Sequence, residues 1–400
     1  MSMMSLGIMT GCSDNSEPTP PSEPINLSRS ETEIVKAQSD FAIKMLNIEV
    51  SEAPGSNFGL SPFCVQQALS MLGNGVSDAD RAQYAAAFGL DGVDDLNALN
   101  VRLNESMPLC DPSNVSVQIA NGMWLNSNYA VKQTFVDAMR DVYRSDASSY
   151  DFANVNIADI ANGWISSKTK NGINGLIPDK YNRNDNVVFV LANALCFNGK
   201  WQTKFDVAQT KPLTFSDSYG KQGKEVPMMH NKQEIYYYGA EKSSMAWLPF
   251  GNGSYRMLVI LPDLGVTVED VLADLSDKAI SEAWEQSQQV SADVYLPKFA
   301  FSAKSEITQE IVKAGVPLKS VRYANLSDAV VDVFTYHGFS IKVDEEGAEL
   351  KAASAVSGMD TAPGPLPAAE LKVDRPFIYA VCEMSSGAML GLGVINDPLK

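Results

Sequence analysis

Apolar positions fall on a helical period early in the chain and on strand periods later. Ser30-Glu31-Thr32-Glu33 caps a run whose apolar face includes Ile34, Phe41, Met45 and Leu46, which predicts an amphipathic helix. Helical patterns follow over 64–74, 78–88, 94–106, 130–142 and 158–176, and Val115–Leu125 alternates as a strand does. Val187–Phe197 (VVFVLANALCF) is a near-continuous apolar run and reads as a strand buried on both faces. Further strands are predicted at Glu234–Tyr238, Ser244–Pro249, Arg256–Leu261, Ala292–Phe301, Val331–Val343, Phe377–Cys382 and Ala388–Val394, with short helices over 267–275 and 277–287. Helices dominate the first half and strands the second, with no regular βαβ alternation. That order predicts an α+β fold with largely antiparallel sheets, in one domain spanning 28–400.

Composition narrows the function. The 400 residues carry a net charge of −17, which leaves no basic stripe to neutralise phosphates and argues against a nucleic-acid partner. Only two histidines are present, His230 and His337, far apart in sequence. Cys64, Cys196 and Cys382 each sit in an apolar run, so buried free thiols are expected, and the cysteines form no CxxC pair. GxSxG, HExxH and GxxxxGK[ST] are all missing, so the expectation is a protein that is not an enzyme and needs no cofactor or metal. No apolar stretch reaches membrane-spanning length. Met9-Thr10-Gly11-Cys12 resembles a bacterial lipobox, although the basic start of a signal peptide is missing. Residues 13–25 are rich in Pro, Ser and acidic residues and read as a disordered tether. Residues 1–27 are thus expected to be a leader and tether. The protein is expected to be exported, as an envelope lipoprotein anchored through Cys12 or free outside the cell.

One segment stands out. The stretch from Gly347 to Pro367 is a long connection inside a domain with no strand or helix of its own, and such loops are usually functional. Ala348–Ser357 (AELKAASAVS) contains neither Pro nor Gly, and Ala348, Leu350, Ala352, Ser354 and Val356 alternate as small or apolar positions. Ala362–Pro367 (APGPLP) cannot join a central ladder, because proline lacks the N–H. The first half can become a strand and the second cannot. Ten residues inserted as a strand would add roughly ten backbone hydrogen bonds at about 0.5–1.5 kcal/mol each. The chain with this loop outside would then be metastable.

Val343-Asp344-Glu345-Glu346-Gly347-Ala348-Glu349, followed by Asp374-Arg375-Pro376-Phe377, resembles the hinge and post-loop motif of the serpins. Asn57–Leu72 resembles the family's first buried strand and helix. Trp164–Ile177 resembles its WVxxKTxGKI helix, Asn193–Phe205 its NAxYFKGxWxxPF segment, Leu296–Phe299 its LPKF and Gly391–Pro398 its closing GxVxxP. The resemblance covers residues 28–398. It implies about nine helices around three mostly antiparallel sheets, with an exposed reactive-centre loop. It also implies a monomeric suicide inhibitor of endopeptidases of the elastase, subtilisin or papain kind. The target attacks the loop, forms an acyl-enzyme and is trapped as the loop inserts; strand insertion of this kind is a known stored-strain switch.

By the same resemblance, Glu345, Glu346, Gly347, Ala348, Glu349, Leu350, Lys351 and Ala352 form the hinge. Family spacing puts the reactive bond at Thr361–Ala362, with Met359 and Asp360 as alternatives because this loop is longer than usual. Ser61, Cys64, Asn193 and His337 match the cluster beneath the parting sheet. Trp201, Lys298 and Glu345 match the group at its upper opening, with Lys298–Glu345 as an ion pair. Two departures weigh against inhibition: Leu350 and Lys351 stand where small residues are usual, and Cys64 replaces a serine. They leave a non-inhibitory binding or scaffold protein of the same fold as the alternative.

Overall fold

The computed structural model describes residues 23–90, 92–329, 332–349 and 367–400. The spring from Leu350 onward, the reactive bond and Cys12 lie outside the described residues.

The chain opens with α1 (Arg29–Glu52), capped by Ser28 and Glu31 in a reciprocal box, two residues before the cap expected from sequence. Packing starts earlier still: Ile25 is buried and its N–H donates to Ser385 Oγ, so the last part of the stretch read as tether belongs to the domain. There follow β1 (Phe58–Leu60), α2 (Pro62–Gly73), α3 (Arg81–Ala86) and α4 (Asp94–Ser106), then β2 (Val115–Asn126), α5 (Gln133–Asp141) and β3 (Asp146–Tyr150). Next come α6 (Ile157–Lys168), β4 (Phe189–Lys200), β5 (Lys211–Ser216), β6 (Gly223–Gly239), β7 (Ser243–Phe250) and β8 (Tyr255–Pro262). The rest comprises α7 (Val268–Leu272), α8 (Asp277–Gln286), β9 (Gln288–Pro297), β10 (Phe299–Glu306), α9 (Thr308–Ala314), β11 (Tyr336–Val343), β12 (Gly347–Glu349), β13 (Ala368–Lys372), β14 (Phe377–Glu383) and β15 (Met389–Ile395). The early-helix, late-strand order holds. Strand β3, helix α9 and strand β13 had no signal in the pattern, and α6 ends at Lys168 rather than near 176.

The three expected sheets appear as two hydrogen-bonded arrays. The larger runs β1-β15-β14-β8-β7-β6-β9-β13, with β5 also on β6. Strand β6 welds two of the expected sheets into one, because its 17 residues pair with β9 over 228–237 and with β7 over 236–239. Strands β14 and β15 are buried at every residue, as their sequences, apolar apart from the terminal Glu383 of β14, require. The second sheet runs β10-β11-β12-β4-β2-β3 and carries the site. Its back packs on α2, where Leu69, Met71 and Leu72 join the main core. Its front is crossed by α6, whose Ile157, Ala161 and Ile165 pack with Val190 and Ala192 in a separate cluster.

Candidate functional site

The second sheet is open down its middle. Strand β12 pairs antiparallel with both β11 and β4, so those two long strands run parallel to each other. Among the described residues, only Gly347–Glu349 lies between them. The loop was expected to stand wholly outside the sheet. Instead its first residues are already in register, with Ala348 between Val343 and Gly199 and only 2% exposed. Below this point two cavities follow each other between β4 and β11. The upper, of about 290 Å³, is lined by Ser61, Cys64, Leu195, Cys196, Phe339 and Ile341 among others. The lower, of about 350 Å³, runs past Cys64, Val190, Asn193, Thr335 and His337.

Close backbone approach makes the entry possible. A Cβ on Gly347 would lie 2.0 Å from the Gly199 carbonyl oxygen and 2.9 Å from Lys200 Cα. A Cβ on Gly199 would in turn meet Phe197 and Phe250 at 2.7 and 2.8 Å. Both positions require glycine for contact.

The upper opening gathers the predicted group and adds to it. Trp201 stacks on Phe250 at 4.5 Å, and its Nε1–H donates to the Asp344 carbonyl at 2.9 Å. The Trp201 and Phe205 amides donate to the carbonyls of Glu346 and Glu345, which binds the turn before β12 to the segment after β4. Lys298 Nζ sits 2.7 Å from Glu345 Oε2, the pair expected from sequence, and the Thr210 hydroxyl donates to Oε1. Burial works against the Glu345 carboxylate, but these two donors outweigh it and hold its pKa below the usual value. Lys204 pairs with Glu346 and Lys342 with Asp344, so each acidic residue of the turn has a cation.

Beneath the sheet, Ser61 N–H donates to His337 Nε2 at 3.0 Å, and Ser61 Oγ caps α2 by accepting from the Cys64 amide. Burial alone lowers the His337 pKa to about 4, so the ring is neutral and carries its proton on Nδ1. Burial pushes the Cys64 thiol up to about 12, an inert group. Asn193 makes no hydrogen bond to His337. Its amide donates to Gln67 Oε1 at 3.0 Å and to Asn121 Oδ1, and its own Oδ1 has no partner. Asn193 and His337 share the wall of the lower cavity rather than a hydrogen bond.

The front of the slot is strapped by the segment after α6. Lys304 Nζ donates to the Asn174 carbonyl, and Ile173 lies so close to Gly338 that a Cβ there would meet it at 2.7 Å. At the foot, the Tyr181 and Tyr336 hydroxyls are 3.1 Å apart, and the rings meet edge to face. Lys180 Nζ lies over Tyr181, Phe334 and Tyr336 at 5.2, 5.4 and 6.0 Å. This latch joins the strap to the chain entering β11. Sequence reasoning passed over Gln67, Asn121, Thr210, Tyr181 and Tyr336. Only the two tyrosines carried a signal, as aromatic residues flanking the apolar runs.

A sheet left open between two parallel strands, with a short strand already seated at its upper end, defines a class: a fold built to take in one more strand. The chain belongs to the serpin family, whose model, serpin (serine protease inhibitor), matches residues 36–398. Iripin-3 of Ixodes ricinus is 26% identical over 372 residues, covering 90% of this chain and 93% of the relative. Human thyroxine-binding globulin with thyroxine bound superposes with a TM-score of 0.80 at 21% identity, over 93% of this chain and all of that one. Tengpin, a thermophilic serpin in its native state, superposes at 0.79 with 23% identity, over 95% and 97% of the two chains. The two structural likenesses carry the fold alone. Serpins are mostly protease inhibitors rather than enzymes, and some members, thyroxine-binding globulin among them, do not inhibit.

Proposed function

We propose that this chain is a single-use inhibitor of endopeptidases, serine and papain-like cysteine enzymes included. The observation that carries this reading is the slot with its hinge seated. Glu349 faces Asn198, so the same register carried down β4 brings residue 358 opposite Phe189, the first residue of that strand. The open edge therefore matches the run Leu350–Gly358, which contains no proline. Residues 359–365 fall just beyond it as bait, with Thr361–Ala362 as the reactive bond and Met359 and Asp360 as alternatives. The target's own nucleophile forms an acyl-enzyme on the loop, and insertion of the freed strand then carries the enzyme away from its deacylating geometry. We also propose that Cys12 is lipidated and that the protein acts as a monomer at or beyond the cell envelope.

A second reading is a non-inhibitory binding protein. It is supported by Leu350 and Lys351 in the spring, where small residues are usual. Incubation with elastase-, subtilisin- and papain-type proteases separates the two. The inhibitor gives a covalent complex on a denaturing gel, and its cleaved form melts at a higher temperature than the intact form. Loop cleavage with neither result leaves the binding protein.

A further inference from the structure

The strap in front of the slot carries a backbone amide that the rest of the fold leaves unprotected. The chain contains seven Asn-Gly pairs. An asparagine before glycine can lose its side-chain amide to attack by the next backbone nitrogen, because glycine has no side chain to stand in the way. The attack needs an exposed carboxamide and a nitrogen free of hydrogen bonds. Asn121-Gly122 and Asn198-Gly199 lie in the ladders of β2 and β4, and Asn162-Gly163 lies inside α6. The amides of Gly75, Gly172 and Gly253 donate to the carbonyls of Leu72, Thr169 and Phe250 at 2.9, 2.8 and 2.7 Å. Asn174-Gly175 alone meets both conditions. Among the described residues the Gly175 N–H has no partner, both residues are exposed, and Gly175 turns with φ 63°.

Two donors sit where the reaction builds negative charge. Lys304 Nζ donates at 2.7 Å to the Asn174 carbonyl, the oxygen of the same peptide group whose nitrogen must give up its proton. A cation there stabilises the amide anion. The Ser166 hydroxyl lies 2.7 Å from Asn174 Oδ1 and 2.9 Å from Asn171 Oδ1. Asn174 Oδ1 is the atom that takes up charge as the carboxamide carbon is attacked, so a donor aimed at it favours the step.

We propose that Asn174 deamidates spontaneously, promoted by Lys304 and Ser166, and that the product loosens the strap. The Gly175 nitrogen gives its proton to water and attacks Asn174 Cγ. The Cγ–Nδ2 bond breaks, and ammonia leaves with a proton returned from the solvent. One water then opens the five-membered imide. Breaking the Cγ–N bond leaves aspartate, and breaking the backbone C–N bond leaves isoaspartate; nothing is oxidised or reduced. Both products lose the hydrogen bond from Asn174 Nδ2 to the Asn171 carbonyl. Isoaspartate also adds one atom to the backbone next to Ile173, the residue that holds the strap against Gly338.

The test keeps the full uncut chain in mildly alkaline buffer. Released ammonia is measured, each Asn-Gly pair is followed by peptide mass spectrometry, and isoaspartate is titrated with a protein isoaspartate methyltransferase. Asn174 should convert about tenfold faster than the other six, the factor that one hydrogen bond on the attacking nitrogen withholds. In urea, where all seven nitrogens are free, that preference should vanish. Lys304→Met and Ser166→Ala should each slow conversion at Asn174 by up to about tenfold, and Lys304→Arg should restore it. Asn174→Gln should stop it. Each variant is checked by circular dichroism and melting. Faster conversion at another pair, an unchanged Asn174, or a preference that persists in urea overturns the site. A Lys304→Met protein that converts at the parent's rate overturns the part given to Lys304, and likewise for Ser166→Ala. Hydrogen exchange tests the strap itself. After conversion the amides of Gly172 and Ile173, which donate to the Thr169 carbonyl and hydroxyl, should exchange up to about tenfold faster than before. Unchanged exchange at both overturns the loosening.

Discussion

Gly347→Ala places a methyl carbon 2.0 Å from the Gly199 carbonyl oxygen, with Lys200 Cα at 2.9 Å and the Gly199 carbonyl carbon at 3.0 Å. All three atoms belong to the backbone of a strand held on its other side by β2 from Phe189 to Gly199, with the Lys200 amide bonded to the Asn114 carbonyl, so none can give way as a flexible side chain would. The hinge must leave instead. It takes with it the pairing of Gly347–Glu349 to both neighbours and the buried methyl of Ala348. Two to four ladder hydrogen bonds at about 0.5–1.5 kcal/mol each, with about 0.8 kcal/mol for the methyl, come to about 2–7 kcal/mol. The cost is larger in the inserted state, because there Gly347 belongs to a full strand along β4 and the hinge cannot relieve the clash by leaving. The variant should therefore be cut by the target as a substrate, with little covalent complex, and its cleaved form should gain less in melting temperature than the cleaved parent. The readouts are the ratio of complex to cleaved product on a denaturing gel and the melting temperatures before and after cleavage. A Gly347→Ala protein that traps as well as the parent, with the same gain on cleavage, refutes the reasoning.

His337 links the slot to pH. Its pKa in the fold is about 4 against about 6.5 unfolded, so the unfolded chain binds more protons between those values. Stability is fully present above pH 6.5 and is lost toward pH 4, by about 3 kcal/mol in all; urea midpoints measured from pH 7.5 to 4.5 should fall, and His337→Asn should remove that part of the slope. Tyr336→Phe removes the hydroxyl contact to Tyr181 and loosens the latch; insertion after cleavage, followed by the rise in melting temperature with time, should be up to about tenfold faster. Glu345→Gln weakens the contacts to Lys298 and Thr210 and should destabilise the intact form by about 1–3 kcal/mol, read from its urea midpoint at pH 7. The parent's own Glu345 contribution should be lost only as the pH drops below about 4.5, through the depressed carboxylate value.

What could be read in the sequence follows from which signals are local. Strand β4 was legible because ten of the eleven residues from Val187 to Phe197 are apolar, which leaves few other readings, and the cap at the start of α1 was placed to within two residues. Helix α9 was missed because its seven residues are too few to set a period. Strand β13 was missed because Ala368–Lys372 has little apolar alternation and is held by parallel pairing to β9, a partner far away in sequence. The same holds for the site. Lys298 and Glu345 are placed by motifs, and their pairing at 2.7 Å agrees. The partners of Asn193 could not be read, since Gln67 and Asn121 reach it from two other elements. The seating of Gly347–Glu349 depends on two glycines that meet only in the folded sheet, so pattern alone left the whole segment outside.

That seating changes the kinetics of the event. Closing a sheet on a free loop normally begins with an uphill step, in which the ends must find each other before any bond is gained. Here the first rung is formed and its register is set in advance. On the inhibitory reading proposed above, insertion is then propagation without nucleation, and the Tyr181–Tyr336 contact at the foot is the last one the strand must part in its race with the target's deacylation.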